Sequence, residues 1–288
     1  MAAKTDQTFR LKNGRQVGFS EYGDLLGNPI FFFHGMPGSR LQASMVEGIA
    51  SQMGARLIAP DRPGFGLSDY QPSRKLLDYP NDVLQLASYL GLGRFAVMGA
   101  SGGGPYVSAC AYQFPERLTA AGVIAGVAPM SEPGATEGMM EGNVRMFTIA
   151  RRFPWILKFF IRMQFRGDLE KKLPVLLKNL PEPDQKVISE RKDLAPIFFE
   201  DVKEAMRQGT SGLAQEILLG IQPWGFSQAD IRTRVYLWQG ELDRNVPPAM
   251  GHYQARIIPD CEATFYPQDG HLSIIANHME EILAKMLA

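Results

Sequence analysis

The chain has few cysteines and no run of like charges, and each of these absences argues against a broad class of protein. Its 288 residues include only two cysteines, Cys110 and Cys261, which lack the spacing of metal ligands and are too few for a disulfide framework. We expect both thiols to be buried. Thirty basic and thirty acidic residues give zero formal net charge, with no run of like charges. This balance points away from nucleic acid and anionic membranes and favours a small-molecule ligand.

Long apolar stretches are also missing. No segment reaches the ~18 uninterrupted apolar residues that a membrane-spanning helix requires. Residues 1–10 lack the apolar core of a secretory signal. We therefore expect a cytoplasmic protein without a membrane span, and the sequence leaves monomer and homodimer equally open.

Strand-like and helix-like segments alternate along most of the chain. This pattern predicts an α/β protein with a mostly parallel sheet and helices on both faces. Strands are predicted at residues 7–11, 16–22, 29–33, 55–59, 95–98, 120–124, 234–239 and 263–266. The first two flank an Asn13-Gly14 turn signal and should pair antiparallel. Helices are predicted at 41–52, 82–90, 105–114, 248–258 and 273–287.

The alternation breaks between residues 129 and 230. This stretch has no convincing strand pattern and is far longer than a crossover connection needs. Helix-like pieces occur at 142–152, 155–166, 168–179, 197–208 and 213–222. We expect three parts: a first core part at 1–128, a helical cap or lid at 129–230, and a second core part at 231–288.

The most informative motif is Gly-Ala-Ser-Gly-Gly at residues 99–103, where an apolar strand passes into a helix. The turn is so tight that glycine is needed two positions to either side of Ser101. The Ser101 hydroxyl would then project from the sheet, with the backbone N–H of Gly102 aimed at whatever the serine attacks. A lone pentapeptide of this kind is equally compatible with a structural turn.

Four further motifs follow strands in the order that a known family shows. They are Phe-His-Gly-Met-Pro-Gly at 33–38, Asp-Arg-Pro-Gly-Phe-Gly-Leu-Ser at 61–68, Gly-Glu-Leu-Asp at 240–243 before Val-Pro at 246–247, and Gly-His at 270–271. With the serine motif, they make the chain resemble the α/β-hydrolase superfamily over essentially its whole length. The resemblance implies an eight-stranded sheet with an inserted helical cap, and chemistry that needs no metal and no cofactor.

The resemblance also implies a role for each site residue. Ser101 would be the nucleophile, His271 the general base and later acid, and Asp243 the carboxylate that orients the imidazole. The backbone N–H groups of Met36 and Gly102 would form the oxyanion hole.

Each role has rivals in the sequence. Those for the base are His34, His252 and His278, and those for the acid are Asp61, Glu241 and Asp269. We expect His34 to shape the loop that presents Met36. Asp61 and Arg62 are expected to hold their own glycine-rich turn.

The expected function is hydrolysis of a carboxylic ester or lactone of a small, largely apolar substrate. Relatives that displace halide or open epoxides carry aspartate where this chain has Ser101. Gly102 also differs from the tryptophan usual in proline-iminopeptidase-like members, and from the methionine often found in C–C bond hydrolases and cofactor-free haloperoxidases. An aminopeptidase or amidase, a slow-turnover receptor for a small molecule and a lyase stay open as alternatives.

The predicted cap is rich in aromatic residues. They are Phe147, Phe153, Trp155, Phe159, Phe160, Phe165, Phe198, Phe199 and Trp224. Most should pack within the cap or at its seam with the sheet, and a minority should line an apolar pocket over Ser101.

Overall fold

A single sheet of eight strands organises the chain, for which a computed structural model describes residues 3–167 and 179–288. The strands are β1 Lys4–Arg10, β2 Gln16–Gly23, β3 Asn28–Phe33, β4 Ala55–Pro60, β5 Phe95–Ala100, β6 Leu118–Ile124, β7 Val235–Gly240 and β8 Cys261–Tyr266. Their order is β1-β2-β4-β3-β5-β6-β7-β8. Strand β2 is antiparallel to both of its neighbours, and all other pairs are parallel. The predicted strands and the antiparallel start are confirmed.

Ten α-helices are described. They are α1 Glu47–Gln52, α2 Tyr79–Tyr89, α3 Gly104–Gln113, α4 Glu141–Arg152, α5 Pro154–Gln164, α6 Glu182–Glu190, α7 Leu194–Ala205, α8 Ser211–Ile221, α9 Pro248–Ile257 and α10 Ser273–Leu287. None of these helices combines the length and apolar character needed to span a bilayer.

The central strands are apolar on both faces because helices cover both sides of the sheet. In β3, Phe31 and Phe33 face a core shared with α2 and α3, whereas Ile30 and Phe32 face a core shared with α1 and α10. This alternation follows from the two-residue period of a strand. It explains why the strand reads as an uninterrupted apolar run.

Three sequence expectations differ from the structure. The helix predicted at 41–52 begins as a 3-10 helix at Arg40–Val46 and becomes α-helical only in α1. Helix α6 was not predicted, and the helix predicted at 168–179 lies, apart from its last residue, outside the described residues. Cys110 is buried as expected, but Cys261 is only partly buried because its strand, β8, forms an edge of the sheet.

Helices α4 to α8 all lie in the long connection between β6 and β7, residues 125–234, which we call the β6–β7 segment. It has an apolar cluster of its own that includes Leu157, Ile161, Leu213 and Ile217. Most aromatic residues here were expected to pack within the cap or at its seam with the sheet, and four of the nine, all around α5, are instead exposed. Phe153, Trp155, Phe159 and Phe160 are exposed, because only one side of α5 packs against the cluster.

Candidate active site

Ser101 lies where β5 ends and a 3-10 turn leads into α3. Its φ is +55°, a left-handed conformation that a residue with a side chain seldom adopts. A Cβ on Gly99 would lie 2.7 Å from the carbonyl oxygen of Gly103, and one on Gly103 would lie 2.2 Å from that of Phe33. The predicted need for both glycines is therefore confirmed, and the strained turn keeps Ser101 at the carboxyl edge of the sheet.

His271 and Asp243 meet at the same edge, in the loops that follow β8 and β7. His271 Nδ1 lies 2.6 Å from Asp243 Oδ2. The other oxygen, Oδ1, accepts hydrogen bonds from the backbone N–H groups of Asn245 (2.8 Å) and Val246 (2.9 Å). These contacts fix the carboxylate and favour a proton on Nδ1, which leaves Nε2 of the neutral imidazole as an acceptor.

The pKa of His271 is raised above its usual value by the balance of four effects. Burial alone would lower the pKa, because it disfavours the charged imidazolium. The charge and hydrogen bond of Asp243, and the charge of the more distant Asp184, outweigh burial. The imidazole of His271 therefore binds a proton more readily than that of an ordinary histidine.

The rival histidines and carboxylates pair elsewhere. His278 Nε2 lies 2.8 Å from Asp269 Oδ2, and His252 Nε2 lies 3.2 Å from Glu241 Oε1. Burial, together with the charge of Arg62, holds the pKa of His34 well below its ordinary range.

Met36 and Gly102 are neighbours, as the resemblance implied. A Cβ on Gly102 would lie 2.8 Å from Met36 Cβ and 3.4 Å from the backbone nitrogen of Met36. The N–H of Met36 takes part in none of the hydrogen bonds among the described residues. Gly102 is in the first turn of a helical segment, where N–H groups lack intrahelical partners. Two backbone donors therefore lie side by side, next to Ser101.

Arg62 holds the loop that carries Met36 through hydrogen bonds to carbonyl oxygens of that loop. Its guanidinium group donates hydrogen bonds to the carbonyl oxygens of His34 and Gly35, the latter at 2.9 Å. His34 Nε2 accepts a hydrogen bond from the Arg62 backbone N–H at 3.1 Å. The expected role of His34 is thus confirmed, whereas Arg62 reaches well beyond its own turn.

Asp61 likewise does more than the sequence indicated. Its Oδ2 accepts a hydrogen bond from the Leu67 N–H at 2.8 Å, within the glycine-rich turn, and also from the Arg40 side chain at 2.9 Å. Burial raises the pKa of Asp61 to about 6, against the lowering effect of Arg40.

A sequence profile described as the alpha/beta hydrolase fold matches residues 28–277, most of the chain. The chain belongs to the α/β-hydrolase fold family. As a member of that family it is a hydrolase. Its fold is also that of an esterase from Thermogutta terrifontis, with a TM-score of 0.66 and 21% identity, each chain covered in full.

Two further solved structures share the fold. The enol-lactonase from Burkholderia xenovorans LB400 has a TM-score of 0.70 at 18% identity, over 96% of this chain and 97% of that one. A bromoperoxidase from Bacillus anthracis has a TM-score of 0.69 at 18% identity, over 98% and 99%. At such identities the likeness shows the shared fold alone.

This α/β-hydrolase has a feature that the sequence did not reveal: three buried carboxylates of the β6–β7 segment contact the loops around the site. The first is Asp184 in α6. Its Oδ2 accepts a hydrogen bond from the backbone N–H of His271 at 3.0 Å, and its Oδ1 accepts those of Leu272 (2.9 Å) and Ser273 (2.8 Å). Asp184 thus binds the free N–H groups that begin α10 and fixes the backbone of His271.

The second carboxylate is Asp201 in α7. Its Oδ1 accepts hydrogen bonds from the backbone N–H and the hydroxyl of Ser39, each at 2.7 Å, and Gln42 Nε2 lies 3.3 Å from its Oδ2. Gln42 in turn accepts a hydrogen bond from the Gly35 N–H at 2.6 Å. Burial raises the pKa of Asp201 to about 7. This contact links α7 to the loop that carries Met36.

The third carboxylate is Glu216 in α8. It pairs with Arg74 and with Arg62, whose Nε lies 3.2 Å from Glu216 Oε2, and it accepts a hydrogen bond from the Tyr106 hydroxyl at 2.6 Å. Although burial alone would raise its pKa, the two arginines lower it. Glu216 is therefore the buried counter-ion of the arginine that supports the Met36 loop.

In residues 3–167 and 179–288, no three His, Cys, Asp or Glu side chains are grouped as ligands of a metal ion would be. The titratable groups at the sheet edge instead contact one another, as His271 and Asp243 do, or accept hydrogen bonds from backbone N–H groups, as Asp184 does.

Proposed function

We propose that this hydrolase cleaves a carboxylic ester or lactone of a small, largely apolar substrate through an acyl-enzyme on Ser101. The observation that carries the proposal is the 2.6 Å contact between His271 Nδ1 and Asp243 Oδ2, at the sheet edge where Ser101 also lies. The esterase and enol-lactonase that share the fold support this class of substrate.

The reaction would begin with a proton transfer. Nε2 of His271 takes the Ser101 proton as the oxygen attacks the carbonyl carbon, and Asp243 stabilises the imidazolium ion that forms. The hydrogen bond between a nucleophile and its general base often tightens only when substrate is bound. His271 then returns the proton to the leaving alcohol, and a water deprotonated by the same imidazole releases the acid.

The oxyanion would be held by the N–H groups of Met36 and Gly102. A preorganised donor of this type contributes about 3 kcal/mol to transition-state stabilisation in other enzymes. The Arg62 contacts to the carbonyl oxygens of His34 and Gly35 support the proposal, because they hold this loop in place before substrate arrives.

We further propose that residues 129–230 act as a cap over the site. Met36 packs against the apolar cluster of the β6–β7 segment, as do Met146 and Phe147. Side chains of this kind suit an apolar acyl or alcohol group.

A fluorophosphonate probe tests the proposed function directly. We expect one covalent adduct per chain, mapped by mass spectrometry to Ser101, and hydrolysis of nitrophenyl esters with a preference for apolar acyl chains of modest length. An adduct on another residue would contradict the proposal. So would ligand binding without turnover, the result expected of a receptor.

Asp184 is proposed as a positioning residue that acts through His271. It holds the backbone on both sides of the imidazole's attachment point and contributes to the raised pKa of His271. The base must be neutral to accept a proton, so activity should fall as the pH drops through the pKa of His271. Because that pKa is raised, this loss should begin above the usual histidine range.

Asp184→Asn should lower kcat about tenfold and move the acidic limb of the kcat/KM profile to lower pH. An amide replaces one acceptor oxygen with a donor, so a hydrogen bond to the 271–273 backbone is lost. Loss of the negative charge also lowers the pKa of His271.

The profile is measured on a soluble nitrophenyl ester, with Glu182→Gln, an exposed substitution on the same helix, as the matched control. A purely structural role for Asp184 would reduce the amount of active enzyme but leave the acidic limb in place. That result would contradict the positioning role.

A further inference from the structure

Helix α5 presents an apolar stripe to solvent. Trp155, Phe159 and Met163 follow one another at four-residue spacing, which places them along one face of the helix. Trp155 is 73% exposed and Phe159 is 63% exposed. Adjacent Phe153 and Phe160 are also exposed and touch the stripe through edge contacts with Trp155 and Phe159. An exposed row of large aromatic side chains is unusual for a protein surface and indicates a contact surface.

The opposite face of α5 is firmly held. Leu157 and Ile161 are fully buried in the cluster of the β6–β7 segment, together with Phe65 and Leu213. That cluster also packs against Met36 of the proposed oxyanion hole. The stripe therefore faces away from the site, so binding the substrate does not account for it.

The charge around the stripe has one sign. From residue 142 to residue 167 the sequence contains six basic residues and no acidic residue, although the whole chain is neutral. Lys158 and Arg162, again four residues apart, lie beside the stripe on the exposed part of α5. Neither forms a salt bridge with any residue that the structure describes. The zero net charge of the whole chain does not reveal this local excess of positive charge.

We propose that α5 docks the enzyme on an anionic lipid surface, with the stripe inserted at the headgroup boundary and the basic residues against the lipid phosphates. Aromatic residues on one face and Lys or Arg beside them are the pattern of helices that lie in a membrane interface. A second copy of the chain fits this face less well, because a two-fold contact would set the basic surface against itself. Single-stranded nucleic acid is usually bound in a groove, whereas α5 is a convex helix.

Vesicle sedimentation with the full chain tests the proposal. We expect binding to vesicles of equal parts phosphatidylcholine and phosphatidylglycerol, much weaker binding to pure phosphatidylcholine, and release at high salt. Tryptophan emission should shift to the blue on binding because Trp155 leaves water, whereas Trp224 and Trp238 are already buried. Trp155→Phe should keep the binding and lose the shift.

Two double variants separate the apolar and the charged contributions. Trp155→Glu with Phe159→Glu, and Lys158→Glu with Arg162→Glu, should each weaken binding about tenfold or more and leave hydrolysis of a soluble ester unchanged. Leu26→Glu with Tyr89→Glu alters exposed apolar residues elsewhere and should bind like the wild type.

The outcomes that overturn the proposal are distinct from failure of the proposed function, since vesicle binding needs no catalysis. They are absence of binding to anionic vesicles, equal loss in the Leu26/Tyr89 variant, and binding of a labelled single-stranded oligonucleotide without vesicle binding. A dimer in vesicle-free solution that the Trp155/Phe159 variant dissociates would also overturn it, by showing that the stripe covers a second copy.

Discussion

Ser101→Ala is expected to reduce kcat for a nitrophenyl ester on the order of 10⁶-fold while leaving the fold intact. Loss of a serine nucleophile in a comparable enzyme has an effect of this size, because the remaining groups act only in concert with it. Alanine keeps the Cβ, so the left-handed turn at φ +55° is no more strained than before. The melting temperature should therefore change little.

Two measurements complete this test. The variant should lose fluorophosphonate labelling and still bind a non-hydrolysable substrate analogue. Ser88→Ala, an exposed serine on α2, is the matched control and should retain full activity and labelling. Substantial esterase activity in Ser101→Ala would rule out the acyl-enzyme mechanism.

Asp243→Asn is expected to lower kcat about 10⁴-fold, because an amide favours the wrong imidazole tautomer and cannot stabilise the imidazolium ion. The chain offers a matched control in Asp269, which is also buried and also contacts a histidine, His278, at 2.8 Å. Asp269→Asn should stay within about threefold of the wild type, because the hydrogen bonds of the Asp269 side chain go to Asn277 and His278 rather than to His271.

Comparison of the two variants under identical conditions decides between the carboxylates. If Asp269→Asn were as inactive as Asp243→Asn, neither could be assigned as the orienting acid. If only Asp269→Asn were inactive, the role of Asp243 would be refuted.

The strands and the position of Ser101 were accessible from the sequence because local rules determine them. Buried parallel strands read as short apolar runs, and the turn around Ser101 requires glycine at 99 and 103, where a Cβ would collide with backbone. The contact of His271 with Asp243 followed from family order and from the rule that parallel strands place their loops at one edge.

The buried carboxylates could not be predicted in the same way. Among the described residues, the hydrogen-bond donors to the Asp184 carboxylate are the backbone N–H groups of residues 271–273, and such partners leave no mark in an amino-acid sequence. Its helix was also hidden by Pro181 and Pro183, which resemble a loop signal although proline is compatible with a helix's first turn. The one available signal was three-residue spacing, which places Asp184 on the same face as buried Val187.

The exposed stripe on α5 could not be anticipated for a related reason. Apolar periodicity shows that a helix has an apolar face, but not whether a second element covers it. Leu157 and Ile161 satisfy the packing of α5 on their own, so the aromatic residues on the far side were left outside the core.

The three buried carboxylates, Asp184, Asp201 and Glu216, limit how freely the β6–β7 segment of this hydrolase can be exchanged with that of a relative during evolution. A transplanted segment without them would leave the Ser39 N–H and the N–H groups at the start of α10 without acceptors, and would remove the carboxylate that pairs with Arg62 and Arg74. Each buried orphan of this kind costs about 1–3 kcal/mol. Helices α4 and α5 send no buried carboxylate into the described core. Sequence drift is therefore most tolerable in that outer pair, whereas α6, α7 and α8 must change together with the loops they contact.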